Sequence, residues 1–167
     1  MKWHPAVING ETYDLSHLHP ITFTLALEAR GKHAAATFEI DVIFGLHCFT
    51  EALQSTSPAA LHYSDRKETR CFNLDRYMLS LQLPKIIISL DRRRCYRAKL
   101  NNYMTFEMAG PAGSVVHYQV YFQVTKSKAK EGRLTLFVQS AYPKDVPQKV
   151  QREKPCLFKT ICVTVAA

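Results

Sequence analysis

Two histidines, three hydroxyl-bearing side chains and a set of arginines are the residues of this chain best equipped for chemistry. His47 ends an apolar alternating run and is followed by Cys48, Phe49 and Thr50. His117 lies in the run VVHYQVYFQV, and Tyr121, Ser140 and Tyr142 follow in the same region. Histidine exchanges protons near neutral pH, so His47 and His117 are the candidate base and acid, with Tyr121, Ser140 and Tyr142 as further donors. Arg66, Arg70, Arg76, Arg92, Arg93, Arg94, Arg97 and Lys99 are candidate phosphate binders. Cleavage of RNA without a metal uses such a set. A base takes the 2′-hydroxyl proton, an acid protonates the leaving oxygen, and cations hold the charge on the phosphate. Tyr118 and Tyr121 add aromatic faces on which bases stack.

Other chemistries lack their residues. The chain has no glycine-rich phosphate loop, no GxSxG, no HExxH and no acidic cluster suited to two metals. Carboxylates are sparse after residue 65, which argues against a metal-dependent nuclease or a glycosidase. His17 and His19 are two apart and would share a face of an extended segment, but no further ligand has a convincing spacing. No cofactor is expected.

The elements that must position these residues are mostly strands. Val116, Tyr118, Val120, Phe122 and Val124 alternate with His117, Gln119, Tyr121 and Gln123. After the polar connector TKSKAKEG, Leu134, Leu136 and Val138 alternate with Arg133, Thr135, Phe137 and Gln139. Such period-two patterning predicts a long antiparallel hairpin with one aliphatic and one polar face. Asn9-Gly10 predicts a short hairpin over 6–14. Thr22–Ala29 and Ala36–Phe44 predict another, joined by ARGKH. Residues 51–64 read as a surface loop. Asn73 caps a predicted helix over 74–82, and Pro84 starts a second that runs to about Arg94, with Ile87, Ile88 and Leu90 on the sheet and Arg92–Arg94 in its last turn. Tyr103–Met108 reads as a strand followed by the turn GPAG. Leu157–Val165 reads as a final strand.

The fold class expected is α+β: an antiparallel sheet built from hairpins, with two short helices packed on one face. The 167 residues, 47% hydrophobic, are expected to form a single domain. Within it lie N-terminal hairpins over 1–50, a basic helical segment over 66–99, and C-terminal antiparallel strands over 103–165 with a mobile basic loop over 143–156.

Charge is distributed unevenly. Residues 1–65 carry three basic and seven acidic side chains, whereas residues 66–99 carry ten basic and three acidic. Glu107, with a further nine basic and three acidic side chains in 126–167, leaves the chain at +8. A basic middle and tail on an acidic base predicts a polyanion partner. Five widely spaced cysteines with no CxxC pair argue against a disulfide framework and for the reducing cytoplasm. No apolar run is long enough to span a bilayer, and MKWHPAVINGETYDL lacks the apolar segment of a secretory signal.

The phrases HCFT (47–50), DRYMLSLQLP (75–84), VYFQV (120–124) and VQSAYP (138–143) resemble an uncharacterised family of small proteins of enteric bacteria and their prophages. More faintly, helices followed by basic and aromatic antiparallel strands are similar to small ribonuclease toxins of the RelE and barnase-like kind. That resemblance implies RNA binding with metal-independent cleavage in a toxin or phage-conflict setting, and an acidic antitoxin as partner. The alternative expectation is a non-enzymatic module whose basic face meets nucleic acid or an acidic protein. A small-ligand protein using the polar side of the long hairpin is the third.

Overall fold

The alternating runs of the sequence become a seven-stranded sheet whose aliphatic side is covered by helices. The computed structural model describes residues 2–29, 34–98, 103–109, 116–144 and 155–167. In chain order the elements are β1 (Ala6–Ile8), β2 (Glu11–Tyr13), β3 (Ile21–Leu27), β4 (Ala36–His47) and β5 (Thr50–Glu51). They continue with β6 (His62–Ser64), β7 (Thr69–Phe72), α1 (Leu74–Ser80), α2 (Leu83–Ile88) and β8 (Arg94–Arg97). Last come β9 (Tyr103–Ala109), β10 (Val116–Lys126), β11 (Arg133–Lys144), β12 (Cys156–Leu157) and α3 (Phe158–Ala166). The arrangement is α+β with mostly antiparallel pairing, as the sequence predicts.

The large sheet has the order β12-β8-β9-β10-β11-β4-β3. Its centre is the long hairpin β10–β11, and β3–β4 is the second predicted hairpin. These two hairpins meet through β11 and β4, which run parallel. Parallel pairing departs from the wholly antiparallel sheet expected. It follows from joining distant hairpins side by side, an arrangement that local periodicity does not encode. The first hairpin, β1–β2, forms at Asn9-Gly10 with φ of 50° and 84°, the positive values a type I′ turn requires. The ARGKH turn and GPAG fall largely outside the described residues, as do 145–154 of the basic loop; Pro143 and Lys144 belong to β11.

The loop expected over 51–64 holds more order than predicted, because its end forms β6. There β5, β7 and β6 form a three-stranded sheet. Packing explains it: Phe49 lies 5.3 Å from Trp3 and 5.1 Å from Tyr63, and Phe72 lies 5.1 Å from Tyr13. These aromatic contacts tie the small sheet to the N-terminal hairpin.

Asn73 caps α1 as predicted, its side chain accepting from the Arg76 backbone N–H at 2.9 Å. Pro84 lies in the first turn of α2, but this helix ends at Ile88 rather than near Arg94. The Ser89 hydroxyl donates to the carbonyls of Lys85 and Ile86, at 2.6 and 3.2 Å, and so competes with continued helix. Arg92 therefore ends a short 3-10 turn, and Arg94 begins β8. Ile87 and Leu90 are buried, but Ile88 is turned out to solvent.

The C-terminal segment is helix α3 rather than the expected strand. Phe158, Ile161, Cys162 and Val165 recur at i, i+3, i+4 and i+7, and the first three are buried. Phe158 meets Phe122 of β10 at 6.1 Å, edge to face. Among the described residues, no helix is long and apolar enough to cross a membrane.

Candidate functional site

The register of the strands decides which predicted residues meet. His47, the last residue of β4, pairs with Ser140 of β11. Across the hairpin, Ser140 pairs with Tyr121, Tyr142 with Gln119, and Lys144 with His117. Directly paired residues share a face, so this polar side of the sheet carries His47, Ser140, Tyr121, Tyr142, Gln119, Lys144 and His117. The register slips between Val138 and Ser140: against β10 it leaves Gln139 as a bulge, and against β4 the extra residue falls on β4, between Phe44 and His47. Gly45 makes the bulge possible. A Cβ there would lie 3.0 Å from the Gln139 carbonyl oxygen and 3.1 Å from that of Val138.

His47 is held from the side by the small sheet. Its Nε2 lies 2.7 Å from Oε1 of Glu68, and both side chains remain about two-fifths exposed. The ionised carboxylate accepts, so Nε2 carries the hydrogen and Nδ1 is the nitrogen able to take a proton. Asp65 fixes the turn that delivers Glu68. Its Oδ1 accepts from the backbone N–H of Lys67 at 2.7 Å and of Glu68 at 2.9 Å. The His47 hydrogen bond holds the Glu68 carboxyl below its usual range, with Arg70 adding to the effect. Arg70 contacts the other Glu68 oxygen at 3.4 Å and donates through Nε to Thr50 Oγ1 at 3.0 Å.

Arg76 reaches the same place from α1. Its Nη1 donates to the Thr50 carbonyl at 2.6 Å and to the His47 carbonyl at 3.4 Å. Its guanidinium carbon lies 5.2 Å from the centre of the Tyr142 ring, a cation–π contact. Burial lowers the Arg76 pKa, yet guanidinium is so basic that the group stays charged. Tyr142 in turn stacks on Tyr121, with centroids 5.6 Å apart and planes 18° from parallel. The Tyr121 hydroxyl donates to Gln119 Oε1 at 2.8 Å. Burial, then the hydrogen bond with Tyr142, push the Tyr121 hydroxyl pKa up, so it keeps its proton. Gln119 is fully buried, and its Nε2 has no hydrogen-bond partner among the described residues.

Other candidates lie apart. Four residues of β11 and two inter-strand steps separate His117 from His47, about 13 Å along the strand and about 10 Å across it. One phosphodiester does not span both imidazoles. Arg66 sits in the turn before Glu68. Arg92 is near Asp91, at 3.8 Å, and Arg93 donates to Ser89 at 3.1 Å. Arg94 and Arg97 belong to β8, separated from β11 by β9 and β10. Lys99 lies outside the described residues. Of the predicted basic set, Arg70 and Arg76 contact the residues at the His47 end of the sheet, and Arg66 lies in the turn that carries Glu68 there.

Two further groups have structural partners. His17 Nε2 is 2.8 Å from Ser80 Oγ, and His19 Nε2 is 3.0 Å from the Trp3 carbonyl. Burial pushes the thiols of Cys48, Cys95 and Cys162 up to about 12, too weakly acidic for nucleophiles.

Sequence reasoning missed Glu68, Thr50 and Gln119. The stretch Asp65-Arg66-Lys67-Glu68 carries a turn signal, but nothing local says that this turn docks on His47. A family model for the YjaZ family matches residues 5–166, from before β1 into α3. The chain belongs to the YjaZ family. That match covers every residue of the site just described and accords with the resemblance to a family of small bacterial proteins. No curated protein and no solved structure matches this chain.

Proposed function

We propose that this protein binds single-stranded RNA on the polar face of its large sheet and cleaves it without a metal. What supports the reading is one juxtaposition. The exposed His47–Glu68 pair stands beside the stacked Tyr121–Tyr142 rings and the Arg76 cation. Aromatic rings on a sheet accept unstacked bases, and a neighbouring guanidinium attracts phosphate. In the proposed reaction His47 Nδ1 takes the 2′-hydroxyl proton, and the 2′-oxygen attacks phosphorus. The bond to the 5′-oxygen breaks, leaving a 2′,3′-cyclic phosphate, and the leaving oxygen takes its proton from solvent or the Tyr142 hydroxyl. Glu68 keeps the His47 ring in the productive tautomer.

The biological setting proposed is the cytoplasm of an enteric bacterium or its prophage, in a toxin or phage-conflict role with an acidic antitoxin. The separation of His47 from His117 favours the second reading, a non-enzymatic module that binds nucleic acid or an acidic protein. Fluorescence anisotropy with a labelled RNA oligonucleotide distinguishes them from a neutral-ligand protein. The proposal expects affinity to fall with salt, by a log–log slope of roughly −0.7 per phosphate engaged. Tyr142→Ala should cost about tenfold in affinity, since stacking one base is worth about 1–3 kcal/mol. Absence of RNA binding at low salt would defeat both nucleic-acid readings.

A further inference from the structure

The edge of the large sheet formed by β3 has the properties of an interface. Its seven residues, Ile21-Thr22-Phe23-Thr24-Leu25-Ala26-Leu27, pair with β4 on one side, and among the described residues no strand lies on the other. Every second residue of such a strand turns its N–H and C=O away from its neighbour. No other backbone group among the described residues hydrogen-bonds to those of 21–27.

Proteins guard open edges with lysine, proline, bulges or inward charges. Within β3 there is no charge, proline or glycine, and its register with β4 is unbroken over all seven residues. An edge this regular and uncharged is made for pairing.

We propose that β3 pairs antiparallel with β3 of a second copy of this chain, so that the sheet continues across a two-fold axis. The strand's pattern suits that operation because it is nearly palindromic about Thr24. With Thr24 facing its own copy, Phe23 opposes Leu25 and Ile21 opposes Leu27 on the apolar face. Thr22 opposes Ala26 on the other face. Thr–Thr and apolar cross-strand pairs stabilise antiparallel strands, and like charges would oppose them. Beyond the strand ends Glu28 would face Pro20, so no like charges meet.

The surroundings fit the same partner. Along the inner side of β3 runs an open groove of about 600 Å³, walled by Phe23 and Leu25 on one side and Lys85, Ile88, Ser89, Asp91 and Arg92 on the other. Ile88 is 51% exposed there although it is flanked by the buried Ile87. A partner strand would lay its Leu25 or Phe23 against Ile88. The groove carries both signs of charge, so a two-fold axis can bring Asp91 of one copy towards Lys85 or Arg92 of the other. Such an isologous contact is the commonest form of protein association. One strand and its groove make a small interface, so a concentration-dependent dimer in the micromolar range is expected.

Sedimentation equilibrium of the full chain over a wide concentration range tests this. Wild type should shift from monomer to dimer. Thr24→Lys and Thr24→Glu, two substitutions at one exposed position, each checked for folding by circular dichroism, should each weaken self-association roughly tenfold. An equimolar mixture of the two variants should restore the dimer, because opposite charges then face across the axis. A wild type that stays monomeric up to high micromolar concentration overturns the proposal. So does a dimer that both variants leave unchanged. If both variants misfold, cross-linking between Thr24→Cys chains decides: a disulfide-linked dimer under mild oxidation that wild type, with its partly exposed Cys156, does not form supports the pairing, and its absence overturns it.

Discussion

Ser140 stands directly beside His47, on the neighbouring parallel strand, because β4 advances three residues from Phe44 to His47 while β11 advances two from Val138 to Ser140, at the same place where Gln139 bulges against β10. Without the bulge the outward and inward alternation of β11 would shift by one, and Ser140 and Tyr142 would turn to the opposite face. Four features therefore act together: the end of β4, the parallel pairing, the bulge and Gly45 beneath it.

Gly45→Ala is the simplest test of that relationship. The added methyl meets backbone oxygens at 3.0 and 3.1 Å, and backbone cannot swing aside as a side-chain tip can. A loss of about 2 kcal/mol is expected from overpacking, measured by urea unfolding. The ring of His47 should also change its environment, visible as a shifted imidazole resonance. An unchanged unfolding midpoint would show that the bulge is not held by this contact.

Glu68→Gln separates orientation from binding. The amide keeps the shape but removes the charge that fixes the His47 tautomer. Turnover of RNA should fall about tenfold, while the affinity measured by anisotropy stays within about twofold of wild type, a change of less than ~0.5 kcal/mol. Equal losses in both would make Glu68 a binding residue instead.

Arg76→Ala should be felt twice. It leaves the Thr50 carbonyl without its 2.6 Å donor and removes the cation over Tyr142. Hydrogen bonds from charged groups contribute about 2 kcal/mol, so a drop of that order in unfolding free energy is expected, together with weaker RNA binding at low salt. Arg76→Lys keeps the charge and loses the planar fork, so it should recover binding more than stability.

The hairpins were legible because strict alternation over ten residues leaves little choice of face: Tyr118, Val120 and Phe122 are all fully buried. Leu157–Val165 misled because it satisfies two periods. Leu157, Ile161, Val163 and Val165 alternate in part, but Phe158, Ile161, Cys162 and Val165 follow the helical spacing, and packing on Phe122 selects the latter. The grouping of the candidate residues was half legible. His47, Ser140, Tyr121 and Tyr142 do converge, since each lies on a polar strand position. Neither the distance of His117 nor the contact of Glu68 with His47 was readable, because register and loop docking are tertiary facts.

His17 gives the fold a pH dependence of its own. Burial lowers its pKa below 6.5, only partly countered by Asp14, with His19 lowering it further. The unfolded chain therefore binds the proton more readily than the folded one between the folded pKa and about 6.5. Stability contributed by neutral His17 is complete above that window and is lost as pH falls through it. Thermal melts of wild type should drop more steeply from pH 7 to pH 5 than those of His17→Gln. Parallel slopes would show that His17 titrates as it does in water.

The measurement that bears most directly on the central claim is incubation of labelled single-stranded RNA with purified protein in EDTA at neutral pH, beside His47→Ala. Binding by both proteins with cleavage by the wild type alone is predicted, the variant slower by about a hundredfold or more, as loss of a general base implies. Binding without cleavage by either would transfer the account to the non-enzymatic module. A wild type that neither binds nor cleaves RNA would contradict it outright.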